Sequence, residues 1–254
     1  MQILELMILL FALPLSVVRL LASYDPRRMA GERRFQVAIV VLGACLAIAS
    51  WRLPQFRPLP MGISFSRMDL LLVLEGFFLA IVIMSSWLGW LREKFLLKMN
   101  LTSGKLVKCL QLVLMAFIVG TVEEIVFRGI WGLLSGPITA NFLYVLFCAI
   151  GVPLTHPQYS LRNISFISLF LFSFSLFMFG LSLSWIYQST GLLALPIGIH
   201  SGIYFAFRQW PQSDSGLSFR SWKYWSGWEA PAQGIVPIFL YWGIAGSSLL
   251  LFYR

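Results

Sequence analysis

An all-α, polytopic bundle of about eight transmembrane helices is the architecture to expect of this 254-residue chain. Composition is the first reason. The chain is 59% hydrophobic and only 11% charged, whereas about a quarter of a soluble domain is charged. The second reason is the layout of the apolar runs. Each is close to the roughly 20 residues that cross about 30 Å of hydrocarbon as a helix, and short connectors separate them. Third, the ten-residue alternation of a barrel strand is not visible. Lipid tolerates no unpaired backbone, so the spans are helices.

Hydropathy and punctuation place the spans at 3–23, 36–52, 69–90, 108–133, 138–156, 164–186, 190–208 and 234–252. The opening run carries Glu5 where a signal peptide would be basic, and it is too long for a signal core. It reads as a retained helix, kinked near Pro14. In the third span Glu75 follows Asp69 by six residues; near a helix end its side chain can reach the interface, a structural role. Residues 1–105 thus form an N-terminal region of about three spans, and 106–208 a core that carries most of the intramembrane polar groups. Residues 209–254 combine a connector with a last helix. In that connector Trp210, Trp222, Trp225, Trp228 and Tyr224 mix with Arg220 and Lys223. The mixture suits a segment anchored among lipid headgroups more than a lid over a site.

A net charge of +9 would suggest nucleic acid in a soluble protein. Here the Lys and Arg residues sit mainly in short loops, where they set orientation and meet anionic lipid, so no nucleic-acid partner is expected. The connectors after the first, third, fifth and seventh spans outweigh the opposite side, which holds Arg52, Arg57, Arg67 and Arg254. That count favours both termini on the non-cytoplasmic side. Cys45, Cys109 and Cys148 form no CxxC spacing and no disulfide framework; they read as small core residues.

The stretch TVEEIVFRG, residues 121–129, places Glu123, Glu124 and Arg128 inside an apolar run. The two histidines of the chain, His156 and His200, also lie in or at the end of apolar runs. A charged group at mid-membrane costs roughly 2.5–3.5 kcal/mol on insertion scales. Five such groups call for mutual neutralisation in a protein-lined cavity. Glu124 and Arg128 stand four residues apart with the acid first, the favourable order for an ion pair on one helix face. Glu123 is turned by about 100° from Glu124 and lacks that partner, which leaves it available as a base or a ligand. Two carboxylates against one guanidinium leave negative charge that a histidinium, a metal ion or a shared proton must balance. The plainer alternative is a neutral packing bridge with incidental histidines.

EEIVFRG resembles the EExxxR signature of the CPBP family, the CAAX prenyl protease and bacteriocin-processing intramembrane proteases. Downstream, YQSTGLLALPIGIHSGIY (187–204) is similar to the later motif of that family, a Thr-Gly turn before a helix with a histidine. The resemblance covers roughly 106–208 and implies a four-helix catalytic core. It implies that Glu123 activates water together with the histidine of a middle FxxxH motif, that His200 stabilises the oxyanion, and that Arg128 braces the carboxylates. The candidate for the middle motif is VPLTH (152–156), with Val152 in the aromatic position and His156 flanked by Pro153 and Pro157. His156 falls at the far end of the fifth span, so a kink or tilt is needed to bring it to the depth of Glu123. The last motif, HxxxN or HxxxD in the family, reads HSGIY, and Tyr204 stands where the amide or acid would be. Glu123, His156 and His200 could alternatively form a His₂Glu zinc site; the cofactor is zinc or none. The resemblance also puts the connectors before spans 5 and 7 on the cytoplasmic side, opposite to the loop count.

The resulting expectation is an endopeptidase that acts on a membrane-associated peptide or protein in a bacterial plasma membrane, with the lipid bilayer as its other partner. A catalytically degenerate member that binds or assembles membrane proteins is the alternative. A proton-coupled transporter is a further one, although no internal repeat supports it.

Overall fold

The computed structural model describes residues 13, 16–17, 37, 39, 41–46, 63–64, 66–91, 103–155, 166–209 and 235–252. All regular structure among them is helical. Six of the expected spans are there: α1 (Arg67–Leu91), α2 (Ser103–Glu124), α3 (Gly132–Thr155), α4 (Phe166–Thr190), α5 (Ala194–Gln209) and α6 (Ile235–Phe252). A π-helical segment, Ile125–Trp131, joins α2 to α3. The described part of the expected span 36–52 is helical, whereas span 3–23 and the Trp-rich connector fall almost wholly outside the described residues. A count of eight is therefore not shown. Among the described residues, three stretches are long and apolar enough to cross a membrane: Arg67–Trp87, Cys109–Cys148 and Phe170–Thr190. The protein is an integral, multi-pass membrane protein.

A polar staple starts α1. Asp69 Oδ2 accepts from the Ser64 amide at 2.8 Å, the Ser64 hydroxyl at 2.6 Å and the Ser66 amide at 3.2 Å. Ser66 Oγ in return accepts from the Asp69 amide at 3.1 Å. This is a capping box with aspartate as the acid, and it satisfies amides that a helix start leaves open. Glu75 is exposed on the same face as Leu71, Phe78 and Val82.

The 40-residue apolar stretch Cys109–Cys148 is a hairpin rather than one long helix. Gly136 interrupts α3 with φ 80° and ψ 165°, a conformation that glycine adopts without Cβ strain. Pro137 follows and suits the first position of the next helical run. The Phe127 ring lies 5.1 Å from Tyr144 and 5.7 Å from Phe147; along a straight helix, positions 127 and 144 would be about 25 Å apart.

Gly191 ends α4, with φ 67° and its amide bonded to the Tyr187 carbonyl at 2.7 Å. That is the left-handed helix stop for which glycine is the usual residue. Thr190 Oγ1 accepts from the Leu192 amide at 3.1 Å, so the Thr-Gly pair makes the turn. The helices therefore end at 190 and resume at 194, about four residues later than hydropathy alone placed the boundary.

α5 lies between α1 and α2 in backbone-close contact. A methyl at Gly198 would collide with the Val73 carbonyl, and one at Gly202 with that of Phe77. The Gly198-x-x-x-Gly202 spacing is the small-residue stripe that lets membrane helices approach. Across α2, a methyl at Gly120 would collide with the Ser201 hydroxyl. α6 packs on α4, with Phe179 and Tyr241 rings 4.9 Å apart and Trp185 and Trp242 rings 5.6 Å apart.

Candidate active site

Because side chains advance by about 100° per helical residue, His200 projects away from the stripe formed by Gly198 and Gly202. With that stripe held on α1, the imidazole is turned toward α2. Gly120 sets the crossing with α2, and Glu123 and Glu124 come one turn after it. Sequence positions 76 apart thereby meet: His200 Nδ1 is 2.6 Å from Glu124 Oε1. The other ring nitrogen, Nε2, is 3.6 Å from Glu123 Oε2. That separation is too long for a direct hydrogen bond and short enough for strong Coulomb attraction in a dry interior.

Arg128 Nη1 donates to the same Glu124 oxygen at 3.0 Å, with the guanidinium 1% and the carboxylate 0% exposed. The expected Glu124–Arg128 pair is thus present. Glu124 does more than pair with arginine, since His200 shares its oxygen. Glu123 in turn is not without partners: it faces His200, and the Tyr144 hydroxyl stands in hydrogen-bonding position to it. Two carboxylates and one guanidinium leave a single negative charge. Burial of that uncompensated charge is costly unless it is balanced within the site.

The walls are aromatic. The Phe179 ring meets His200 edge-on at 5.0 Å, and Tyr144 does so at 6.4 Å. The Arg128 guanidinium carbon lies 4.8 Å above the Tyr144 ring, in cation–π range. Behind it, Asn141 Nδ2 donates to Ser184 Oγ at 3.2 Å. Gly180 on α4 leaves room for both neighbours, since a methyl there would collide with Asn141 Oδ1 and press on Arg128 Nη2.

Of the residues singled out in the sequence, Glu123, Glu124, Arg128 and His200 come together. Tyr204 is half-buried one turn further along α5, and His156 lies outside the described residues. Among the described residues, no group of three His, Cys, Asp or Glu side chains is arranged to hold a metal ion. The Glu124 carboxylate and the His200 imidazole bond to each other instead.

Tyr144, Asn141 and Ser184 were not singled out. Asn141, Tyr144 and Cys148 recur every three or four residues in an otherwise apolar run. That spacing puts them on one helix face and was the available signal.

No curated protein and no solved structure matches the chain. Residues 105–206, the segment that supplies every residue of this site, match the Rce1-like family of type II CAAX prenyl endopeptidases, the CAAX-protease family that the EExxxR and histidine motifs resemble.

Proposed function

We propose that the protein is an intramembrane endopeptidase that hydrolyses a peptide bond in a membrane-associated peptide or protein. The observation that carries this reading is the convergence of Glu123, Glu124, Arg128 and His200 in a buried site within the segment matched to a protease family. A purely structural bridge needs Glu124 and Arg128 alone. A second carboxylate and an imidazole beside them make an acid–base pair.

In this reading Glu123 is the general base. A water bonded at about 2.8 Å to both Glu123 Oε2 and His200 Nε2 is compatible with their 3.6 Å separation. Glu123 takes a proton as the water oxygen attacks the carbonyl carbon, and His200, protonated, steadies the oxyanion of the tetrahedral intermediate. The carbon–nitrogen bond then breaks, and the proton held by Glu123 passes to the leaving amine. Glu124, bonded to His200 Nδ1, fixes the ring orientation, and Arg128 fixes Glu124. The resemblance assigns His156 a share in water activation, which His156→Ala tests.

The experiment uses the full chain in detergent or liposomes with quenched peptide probes, among them a prenylated peptide with a CAAX end. Wild type should cleave at least one probe, and Glu123→Gln and His200→Ala should each lower kcat by about 10²-fold or more while still accumulating in the membrane. Full activity in both variants would sink the enzymatic reading.

A further inference from the structure

The third wall of the site comes from α3, and the residue it presents to the carboxylates is a tyrosine. Because Gly136 folds the chain back, Tyr144 returns to the level of Phe127, Arg128 and His200. It is 3% exposed, its ring is packed by Phe127 and His200 and capped by the Arg128 guanidinium, and its hydroxyl is turned to Glu123. The same hydroxyl meets the Cys148 thiol one turn on. Thr155, the last helical residue of α3, lies about 16 Å further along that helix. On α3 the Tyr144 hydroxyl reaches Glu123, with the Cys148 thiol beside it.

We infer that Tyr144 is a positioning residue of the site, whose hydroxyl donates to Glu123 and fixes which carboxylate oxygen is offered to water. The inference rests on the proteolytic reading for its effect on rate, and on the packing of the Tyr144 ring against Phe127, Arg128 and His200 for the hydroxyl's place beside Glu123. A carboxylate that faces His200 only across 3.6 Å can rotate; a phenol that occupies one lone pair removes that freedom. Packing alone would not require the hydroxyl. Phenylalanine fills the same space against Phe127, Phe179 and Arg128, whereas a phenolic oxygen buried at this depth is tolerated only with a partner.

Tyr144→Phe separates the two roles, since it keeps the ring and deletes one oxygen. Against the cleaved probe, kcat should fall about tenfold or more with KM unchanged. Tyr144→His, which returns a ring donor, should recover part of the rate. A kcat within twofold of wild type in Tyr144→Phe overturns the inference. Infrared spectra give a readout that needs no substrate. The carboxyl bands lost in Glu123→Gln belong to Glu123, and Tyr144→Phe should shift those bands; unshifted bands also overturn it. Should Tyr144→Phe fail to accumulate, Tyr144→Leu, which also lacks a donor, carries the same infrared comparison. If no probe is cleaved by wild type, the proteolytic reading falls, while the infrared arm still decides the hydrogen bond.

Discussion

Among the described residues Arg128 is one of the largest fully buried side chains, and it forms an ion pair with Glu124. Removing one member of a buried pair strands the other, at a cost of about 3–5 kcal/mol. Arg128→Ala is therefore expected to lower thermal stability in detergent sharply and to reduce the amount of protein in the membrane. The double variant Glu124→Gln, Arg128→Met removes both charges and should recover much of that loss, without activity, because His200 is left without its carboxylate anchor. A melting curve for each variant checks this. At this scale the charges were readable from the chain, because a carboxylate or guanidinium in an apolar run has to find a partner. Tyr144 was marked only by its spacing with Asn141 and Cys148, and its place beside Glu123 follows from the fold-back at Gly136. The partition of the carboxylates was also only half readable. Helix spacing gave the Glu124–Arg128 pair, but it carried no information on which carboxylate His200 would approach more closely.

At the scale of the helix, the site depends on how closely α5 is held. Gly198 and Gly202 press the backbone of α5 onto α1, and Gly120 does the same from α2. In a bilayer, where lipid tails are as apolar as leucine, such close approach supplies the packing that hydrophobicity cannot. A Cβ at Gly198 would meet main-chain atoms of Val73, which cannot swing aside as a flexible side chain would. Gly198→Val should therefore destabilise the protein by about 1–3 kcal/mol, read as a lowered melting temperature. It should also reduce activity, because any shift of α5 carries His200 away from Glu123. Gly243→Ala on α6 is the control: nothing lies within 4 Å of its added methyl, so no loss is expected. The periodicity-free apolar runs located these helices to within a few residues but were silent on their faces. Helices that are hydrophobic all round carry no stripe from which to read the packed side. The π-helical segment was equally unreadable, although Arg128 sits within it.

For the whole molecule, the contacts fix which turns share a side of the bundle. Asn141 meets Ser184 and Tyr144 meets Phe179, so α3 and α4 run antiparallel, and the Gly136 turn lies at the same end as the Gly191 turn. Val73 meets Gly198 and Phe77 meets Gly202, which makes α1 parallel to α5 and brings its Ser66 cap to that end too. Ser135 and Ser189 are both exposed there. Cysteines introduced at these positions, one at a time, should be labelled by a membrane-impermeant maleimide from the same face of oriented vesicles. Labelling from opposite faces would show that the hairpin at Gly136 does not return across the bilayer, and the site geometry would fall with it. The same experiment chooses between the two orientations read from the sequence. Labelling from the cytoplasmic face agrees with the family resemblance, and labelling from the other face agrees with the distribution of Lys and Arg. A protease whose site opens toward one of these surfaces takes its substrates from that surface, so the side that carries Ser135 and Ser189 also narrows where the scissile bond can lie.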